Sequence, residues 1–433
     1  MATQDTSDLL GPLSGLRVLE VGDEKVEFCG RLLTGGDADI VKVEPPGGSP
    51  TREYGPFYQD ERNPDRSLYF WHYNLGKRSV TLNLDSDEGR QLFKRLAERA
   101  DVVLDGMGLD YLNERGLGYE ELSSSNPRLV MCAITDFGRT GPWRDYQASD
   151  MMHLALGGQM MVTGYLPVGD YDPTNPAPHY DTPPIAPQMW QAYHTAGVNA
   201  AVAIYGALFH REMSGTGQFI DTSIHTAMAA CTELPVPHWI YNQAPVWRQT
   251  GSHAMPSVGL TWQQQAGDGK PIFTMSAIGG FGGTWDRFVE MLDTVGIADD
   301  LGDEKYQDPA YRRQPEVATR VRELTDTFIT MLPAEEAMRL AQKAGLAWSE
   351  IRWPEDNLDD EHWQARGVFQ DIEHDELGGK KFTYVVMPFL CEQMPWKVGS
   401  RAAMVGEHTD EVLGTDLGLS AGELSALRSA GVV

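Results

Sequence analysis

Short runs of β-branched residues alternate with stretches of helical periodicity over the first 135 residues of this 433-residue chain. Residues 16–21 and 40–44 fit buried strands, and residues 26–34 between them fit a helix. Residues 79–84 alternate apolar and polar side chains, which predicts a third strand. Strands that alternate with helices in this way form βαβ units, whose parallel strands are covered by helices. The pattern therefore predicts an α/β fold with a mostly parallel sheet covered by helices.

The chain length fits two domains, or one large domain with an insertion. We expect a large domain whose first part covers residues 1–225, a smaller α/β domain with linkers over 226–365, and a return to the large domain over 366–433. Residues 164–187 are rich in Pro, Asp, Tyr and Met and show little periodicity, which predicts a long irregular loop. The further elements expected are strands at 102–104, 129–134, 218–224 and 271–276 and helices at 85–100, 195–210 (alanine-rich and buried), 284–294 and twice within 315–345.

The charge and the cysteines exclude several classes of protein. With 62 acidic against 35 Lys and Arg residues, the net charge of −27 opposes binding of nucleic acid. No apolar run is long enough to span a membrane, and the first residues do not resemble a signal peptide. The scattered cysteines (29, 132, 231 and 391) show neither disulfide nor metal spacing, so we expect a cytoplasmic protein with reduced thiols and no metal.

The turn after the first predicted strand argues against a dinucleotide cofactor. A Rossmann phosphate site needs several glycines there, so that the backbone can approach the pyrophosphate. The chain offers only Gly22, followed by Asp23, Glu24 and Lys25, and the two carboxylates would repel a phosphate. A nucleotide-dependent oxidoreductase is therefore disfavoured.

Several cations and one glycine-rich loop could instead hold an anionic ligand. Lys77 and Arg78 precede a predicted strand, and Arg52, Arg139 and Arg144 lie in loops rich in Gly and Pro. Each could contact a phosphate, or each could be ordinary solvated surface charge. The loop formed by Gly279, Gly280, Phe281, Gly282 and Gly283 lies between a strand and a helix, so it is either an anion cradle or a tight turn.

Longer motifs resemble one family over nearly the whole chain. They read LSGLRVLEV (13–21), ADIVKVEPPGGSPTRE (38–53), NLGKRSVTLNL (74–84), NPRLVMCAITDFGRTGP (126–142) and VGEHTDEVLG (405–414). In this order they resemble the family III CoA-transferases, the carnitine and formyl-CoA transferase group. The resemblance implies a large doubly wound domain and a smaller domain, in a dimer whose two chains interlock.

The resemblance also implies a chemistry. An aspartate attacks an acyl-CoA thioester to give a mixed anhydride. CoA then forms a thioester with this aspartate, and the acceptor acid receives the CoA from it. No permanently bound cofactor is expected, since CoA thioesters are the substrates. The resemblance suggests Arg52, Asn74, Lys77, Arg78 and Arg139 as CoA contacts. It also suggests a substrate loop at Gly279, Gly280, Gly282 and Gly283.

Three functional motifs of the family are altered here. Counted back without gaps from the alanine-rich helix and Gly197, the position of the nucleophilic aspartate holds Tyr193, and a phenol cannot form the anhydride. The Ala-Gly-Pro turn after the first strand reads KVE (25–27). The Asn-Phe-Arg-Pro-Gly loop after the fourth strand reads GMGLD (106–110) and has lost its Asn and Arg.

These departures suggest that the chain itself no longer catalyses the transfer. It resembles the aspartate-lacking subunit of heteromeric members such as the succinyl-CoA:benzylsuccinate CoA-transferases, and a homologous partner would carry the aspartate. The alternative is an active homodimer that uses a displaced carboxylate, for which Asp150 is better placed than Asp172 or Asp181. A racemase of this fold is less favoured, because the His-Asp pair it needs reads Ser149-Asp150. A pure interaction protein is the remaining alternative.

Overall fold

The computed structural model describes residues 9–165, 182–232, 234–256, 263–278, 283–386, 388–397 and 399–433. The chain divides into two compact units. The first unit comprises Met1–Met160, Ala186–Glu233 and Trp363–Val433, and the second comprises Met161–Ile185 and Leu234–His362.

A six-stranded parallel sheet forms the centre of the first unit, with the strand order β3-β2-β1-β4-β5-β6. Val18 of β1 lies opposite both Ile40 of β2 and Val102 of β4, so β1 is an interior strand. The order reverses its direction between β1 and β4, as in doubly wound α/β folds. The six strands are β1 (Arg17–Val21), β2 (Asp39–Glu44), β3 (Arg78–Thr81), β4 (Val102–Asp105), β5 (Val130–Thr135) and β6 (Phe219–Ser223).

Helices cover both faces of this sheet. Val18, Ile40 and Val130 point towards α1 and α7, whereas Leu19 and Val41 point towards α3 and α5 on the other face. This alternation follows from the pleat, which sends successive side chains to opposite faces. The helices up to this point are α1 (Glu24–Gly35), α2 (Leu68–Tyr73), α3 (Asp87–Ala97), α4 (Tyr111–Glu114), α5 (Tyr119–Ser125), α6 (Asp150–Leu156), α7 (Gln191–Ser214) and α8 (Ile224–Ala230).

The second unit has its own hydrophobic core, which includes Trp285, Phe288, Phe328 and Trp348. One antiparallel sheet has the order β11-β10-β9, and β7 pairs with β8 in a separate ribbon. Its elements are α9 (Pro235–Asn242), β7 (Trp247–Gln249), β8 (Ser252–Met255), β9 (Gln263–Gln265), β10 (Pro271–Phe273), α10 (Thr284–Asp293), α11 (Pro309–Arg312), α12 (Pro315–Thr330), α13 (Ala334–Lys343) and β11 (Ser349–Glu350).

The C-terminal part of the chain rejoins the first unit at Trp363, within α14 (Glu361–Ala365). The antiparallel pair β12 (Phe369–His374) and β13 (Lys380–Val385) packs on Phe70 and Trp71 of α2. The last helices, α15 (Thr409–Glu411) and α16 (Ala421–Ser429), follow, and Leu424 of α16 joins the core below the sheet.

The expected α/β fold with a doubly wound sheet is confirmed. Several short helices lie outside the predicted elements, among them α2, α5, α6, α8 and α9. Helix α7 is longer than residues 195–210 and is buried on one face only, because Val202 and Phe209 are exposed. Residues 166–181 of the predicted loop lie outside the described residues. Within the described segments, no helix has the length and apolarity that a bilayer span requires.

Candidate functional site

A crevice lies at the carboxyl ends of β1 and β4, where the strand order reverses. Ligands of doubly wound folds bind at such a point, outside the carboxyl ends of the strands. Gly22 follows β1 with φ +147°, and a Cβ atom there would lie 2.8 Å from Cα of Gly106, which follows β4. Only glycine therefore fits where the two loops meet.

Acidic side chains occupy the start of α1, which begins at this crevice. Asp23 caps the helix: it accepts the backbone N–H of Lys25 at 3.2 Å and pairs with the Lys25 ammonium at 3.1 Å. Burial, together with Asp23, raises the pKa of Glu24, whose carboxylate accepts a hydrogen bond from the Tyr54 hydroxyl at 3.1 Å. The N-terminus of a helix attracts negative charge. At α1 the carboxylates of Asp23 and Glu24 already occupy the position that an anionic ligand would take.

Tyr193 lies in the first turn of α7 and is only 3% exposed. Its ring stacks on Trp190 with centroids 5.3 Å apart and an angle of 16°. Burial, followed by the charges of Glu24, Asp136 and Asp23, raises its pKa far above that of a free tyrosine. The phenol therefore stays neutral.

Asp150 lies beside Tyr193 and serves as a cap for α7. Its Oδ1 accepts the backbone N–H groups of Ala192 at 2.8 Å and of Tyr193 at 3.1 Å. Burial raises the pKa of Asp150, and the N–H groups that it accepts oppose this shift only in part. The carboxylate is thus held by the backbone of α7.

Aromatic rings pack around the start of α7. Trp190 has a left-handed backbone (φ +65°) and lies parallel to Tyr54, with centroids 6.2 Å apart. The Tyr73 hydroxyl lies 2.8 Å from Nε2 of His194, whose ring is 4.3 Å from that of Phe28. Burial, together with Arg31, lowers the pKa of His194, so this imidazole is neutral near pH 7. Side chains of this chain thus fill the space around Tyr193.

A second pair of titratable groups lies behind Tyr193. Nε2 of the fully buried His153 is 3.3 Å from the carboxylate of Asp136, and its ring is 6.5 Å from that of Tyr193. Nδ1 of His153 has no hydrogen-bond partner within the described part of the chain. No cluster of three or more His, Cys, Asp or Glu side chains in those segments is arranged to hold a metal ion.

Three of the side chains suggested as CoA contacts are buried in a charge network. The Lys77 ammonium lies 2.8 Å from Glu20 and donates to the side chain of Asn74 at 3.0 Å. The Arg52 guanidinium bonds Glu44 at 2.7 and 2.8 Å. Because their donors are satisfied internally, contact with a phosphate would require breaking these buried bonds.

Glu27, the last residue of the KVE turn (25–27), belongs to the same network. Its carboxylate lies 3.0 Å from the Lys42 ammonium and accepts the Thr51 hydroxyl at 2.6 Å. Burial opposes the charge of Glu27, but Lys42 and Lys77 outweigh it and lower its pKa. This role of Glu27 is not predicted from the sequence. The signal for it is a charged residue within each of two apolar strands, Glu20 in β1 and Lys42 in β2.

Arg78 and Arg139 lie at different places in the sheet. Arg78 opens β3 and pairs with Asp39 at 2.5 Å, so it lies at the amino edge of the sheet, opposite the crevice. Arg139 follows β5, and its guanidinium is 3.8 Å from Asp110, which also bonds Arg144 at 2.8 Å. The structure therefore brings Arg139 and Arg144 to one carboxylate and leaves Arg78 apart.

The glycine-rich loop belongs to the second unit. Gly279, Gly280 and Gly282 lie outside the described residues. Gly283 precedes α10 with φ +78°, in the left-handed region that glycine tolerates.

The crevice lies where doubly wound folds bind their ligands, and comparison with known proteins defines the family of this chain. A sequence model described as CoA-transferase family III matches residues 13–409. The chain belongs to this family, which confirms the recognition made from its motifs.

Named relatives cover almost the whole chain. It is 30% identical to the succinyl-CoA:(R)-benzylsuccinate CoA-transferase subunit BbsE of Thauera aromatica, over 97% of this chain and 98% of that protein. It is 29% identical to the succinyl-CoA–L-malate CoA-transferase beta subunit of Chloroflexus aurantiacus, over 98% of each. The crystal structure of a CAIB/BAIF family protein from Brucella suis is similar, with a TM-score of 0.76 and 27% identity over 94% of this chain and 100% of that one.

Proposed function

We propose that this chain is the subunit of a heteromeric CoA-transferase that does not form the covalent intermediate, and that a homologous partner carries the catalytic aspartate. The observation that carries the proposal is Tyr193, buried at the start of α7 where the family resemblance places the aspartate. Its raised pKa keeps the phenol neutral. A neutral phenol is a poor nucleophile towards a thioester and cannot form a mixed anhydride.

The geometry of Asp150 weighs against the alternative of a displaced nucleophile. Turning this carboxylate towards a thioester would leave the N–H groups of Ala192 and Tyr193 without their acceptor. Each buried donor left without a partner costs about 1–3 kcal/mol. The active homodimer is therefore the less favoured reading.

The names of relatives support a choice of substrates. BbsE and the Chloroflexus beta subunit are both named as subunits of enzymes that use succinyl-CoA. We infer that the complex moves CoA from a donor such as succinyl-CoA to a carboxylic acid, with a benzylsuccinate-like acceptor as the first choice. It would use CoA thioesters as substrates and hold no permanent cofactor.

The outer face of α7 offers a surface for the partner. Residues 191–210 include no Asp, Glu, Lys or Arg, although the chain carries a net charge of −27. Five apolar side chains at helical spacing are 38–69% exposed, namely Val198, Val202, Tyr205, Phe209 and Met213. A helix that is apolar on all sides is normally buried on all sides. We assign this face to the homologous subunit, since loss of charge and aromatic enrichment are typical of the core of an interface.

Thioester exchange by the chain alone and by the complex tests the proposal. An affinity-tagged chain is purified from its native cells, and copurifying homologues are identified by mass spectrometry. Exchange between succinyl-CoA and benzylsuccinate is expected only with the partner present, and hydroxylamine should trap the intermediate on the partner's aspartate. Turnover by this chain alone, or trapping at one of its own carboxylates, would overturn the proposal.

A charged substitution on α7 tests the partner surface. Val202→Glu should abolish copurification of the partner, because it places a charge in an apolar interface, while the circular dichroism spectrum stays unchanged. Met331→Glu, at a half-exposed apolar position of the second unit, is the matched control and should keep the partner. Normal copurification with Val202→Glu would contradict the assignment.

A further inference from the structure

The crevice contains a cavity of about 330 Å³ beside the carboxyl ends of β4 and β5. Its charged lining consists of two cations and three carboxylates: Lys25, Arg144, Asp110, Asp136 and Asp145. An anionic ligand here would meet more negative than positive charge. The cavity is nevertheless where the fold places a ligand.

Both cations of the cavity are already paired with carboxylates of the same chain. The Lys25 ammonium lies 3.1 Å from Asp23. The Arg144 guanidinium bonds Asp110 at 2.8 Å and Asp145 at 3.2 Å. An incoming phosphate would have to displace a carboxylate from each cation.

Asp110 differs from the other carboxylates of the cavity because it faces two guanidinium groups. One oxygen bonds Arg144, and the other lies 3.8 Å from Arg139. Carboxylates and phosphates both match the geometry of a guanidinium, so they compete for the same donors. Asp110 thus stands where the anion of a ligand would stand.

We propose that Asp110 acts as an internal counter-anion that excludes the phosphates of acyl-CoA from this crevice. The inference rests on the proposed function and deepens it, because it explains why CoA would bind to the partner subunit and not to this chain. The exposed ion pairs are individually weak. Exclusion comes mainly from the repulsion that a highly charged CoA meets from Asp110, Asp136 and Asp145 in a confined space.

Isothermal titration of free CoA into the purified chain, without its partner, tests this inference. Asp110→Asn should bind CoA at least tenfold more tightly than the native chain, because it removes the carboxylate that the Arg139 and Arg144 guanidinium groups share, although Arg144 keeps Asp145. Adding Arg144→Gln to Asp110→Asn should reverse the gain. Raising the salt concentration should weaken the gained binding, as expected for phosphate contacts.

Asp87→Asn is the matched control. It removes the same charge from an exposed position on α3, where Asp87 pairs with Arg90, and should leave CoA binding unchanged. Equal binding by Asp110→Asn and the native chain would overturn the inference, and so would an equal gain in both variants, which would reflect bulk charge alone. The titration contains no acceptor acid, so its result is distinct from the turnover that tests the proposed function.

Discussion

Replacing Lys42 with methionine would remove one of three cations from a cluster of six buried charges. The cluster combines three carboxylates with three cations, each no more than 2% exposed: Glu20, Glu27, Glu44, Lys42, Arg52 and Lys77. The Lys42 ammonium lies 3.0 Å from both Glu20 and Glu27 and donates to the Gly22 carbonyl at 3.2 Å. Charges in the cluster therefore balance only while Lys42 is present.

The expected loss in the free energy of unfolding follows from the partners that Glu20 and Glu27 keep in the Lys42→Met variant. Glu20 keeps Lys77, but Glu27 keeps only hydroxyl donors such as Thr51 in direct contact. Removing one partner of a buried ion pair costs about 3–5 kcal/mol, because the other charge stays buried without compensation. For a unit of this size, such a loss lowers the melting temperature by roughly 10 °C.

Urea unfolding followed by circular dichroism measures this free energy. Glu27→Gln combined with Lys42→Met should cost less than the sum of the two single variants, because the double variant restores the balance of charge. Arg62→Met is the control: it removes an arginine that pairs with Glu53 at the exposed surface and should cause no measurable change. A loss below about 1 kcal/mol for Lys42→Met would refute the reasoning.

Three further variants test two buried carboxylates, Asp105 and Asp150. Burial raises the pKa of Asp105 to about 6, so its ionisation lowers stability as the pH rises from about 4 through 6. Asp105→Asn should raise the free energy of unfolding by about 2–3 kcal/mol at pH 7.5 and leave it unchanged near pH 3.5, as measured by urea titration at each pH. Asp150→Ala should cost at least about 2 kcal/mol in the same assay, because it leaves the buried N–H groups of Ala192 and Tyr193 without their acceptor. The isosteric Asp150→Asn should cost less, and equal losses for the two would contradict the capping role.

The sheet could be predicted from the sequence because its signal is local. The apolar runs that became β1, β2 and β5 lie within one residue of the strands that the structure contains. Helix α6 escaped prediction because seven residues give barely two turns of periodicity. The apolar residues on all sides of α7 predict a fully buried helix, whereas Val202 and Phe209 are exposed. Such a pattern does not distinguish a side chain in the core from one at a surface that a partner covers.

The buried charges could not be predicted in the same way. Lys42 pairs with Glu20, which lies 22 residues earlier, and Lys77 pairs with the same carboxylate from 57 residues away. Local patterns do not reveal such partners, so Arg52 and Lys77 were read as ligand contacts or surface charge. Only the charged residues inside otherwise apolar strands, Glu20 and Lys42, pointed to internal pairing.

The three altered motifs share one physical consequence, since each new side chain is bonded or packed within this chain. Glu27 completes the buried network with Lys42, Asp110 engages Arg139 and Arg144, and Tyr193 stacks on Trp190. An aspartate introduced at position 193 would therefore stand among several carboxylates and next to cations that are already paired. Because a nucleophilic carboxylate needs both an ionised state and a bound thioester, we expect that Tyr193→Asp alone confers no thioester exchange on this chain and that changes at all three motifs are needed.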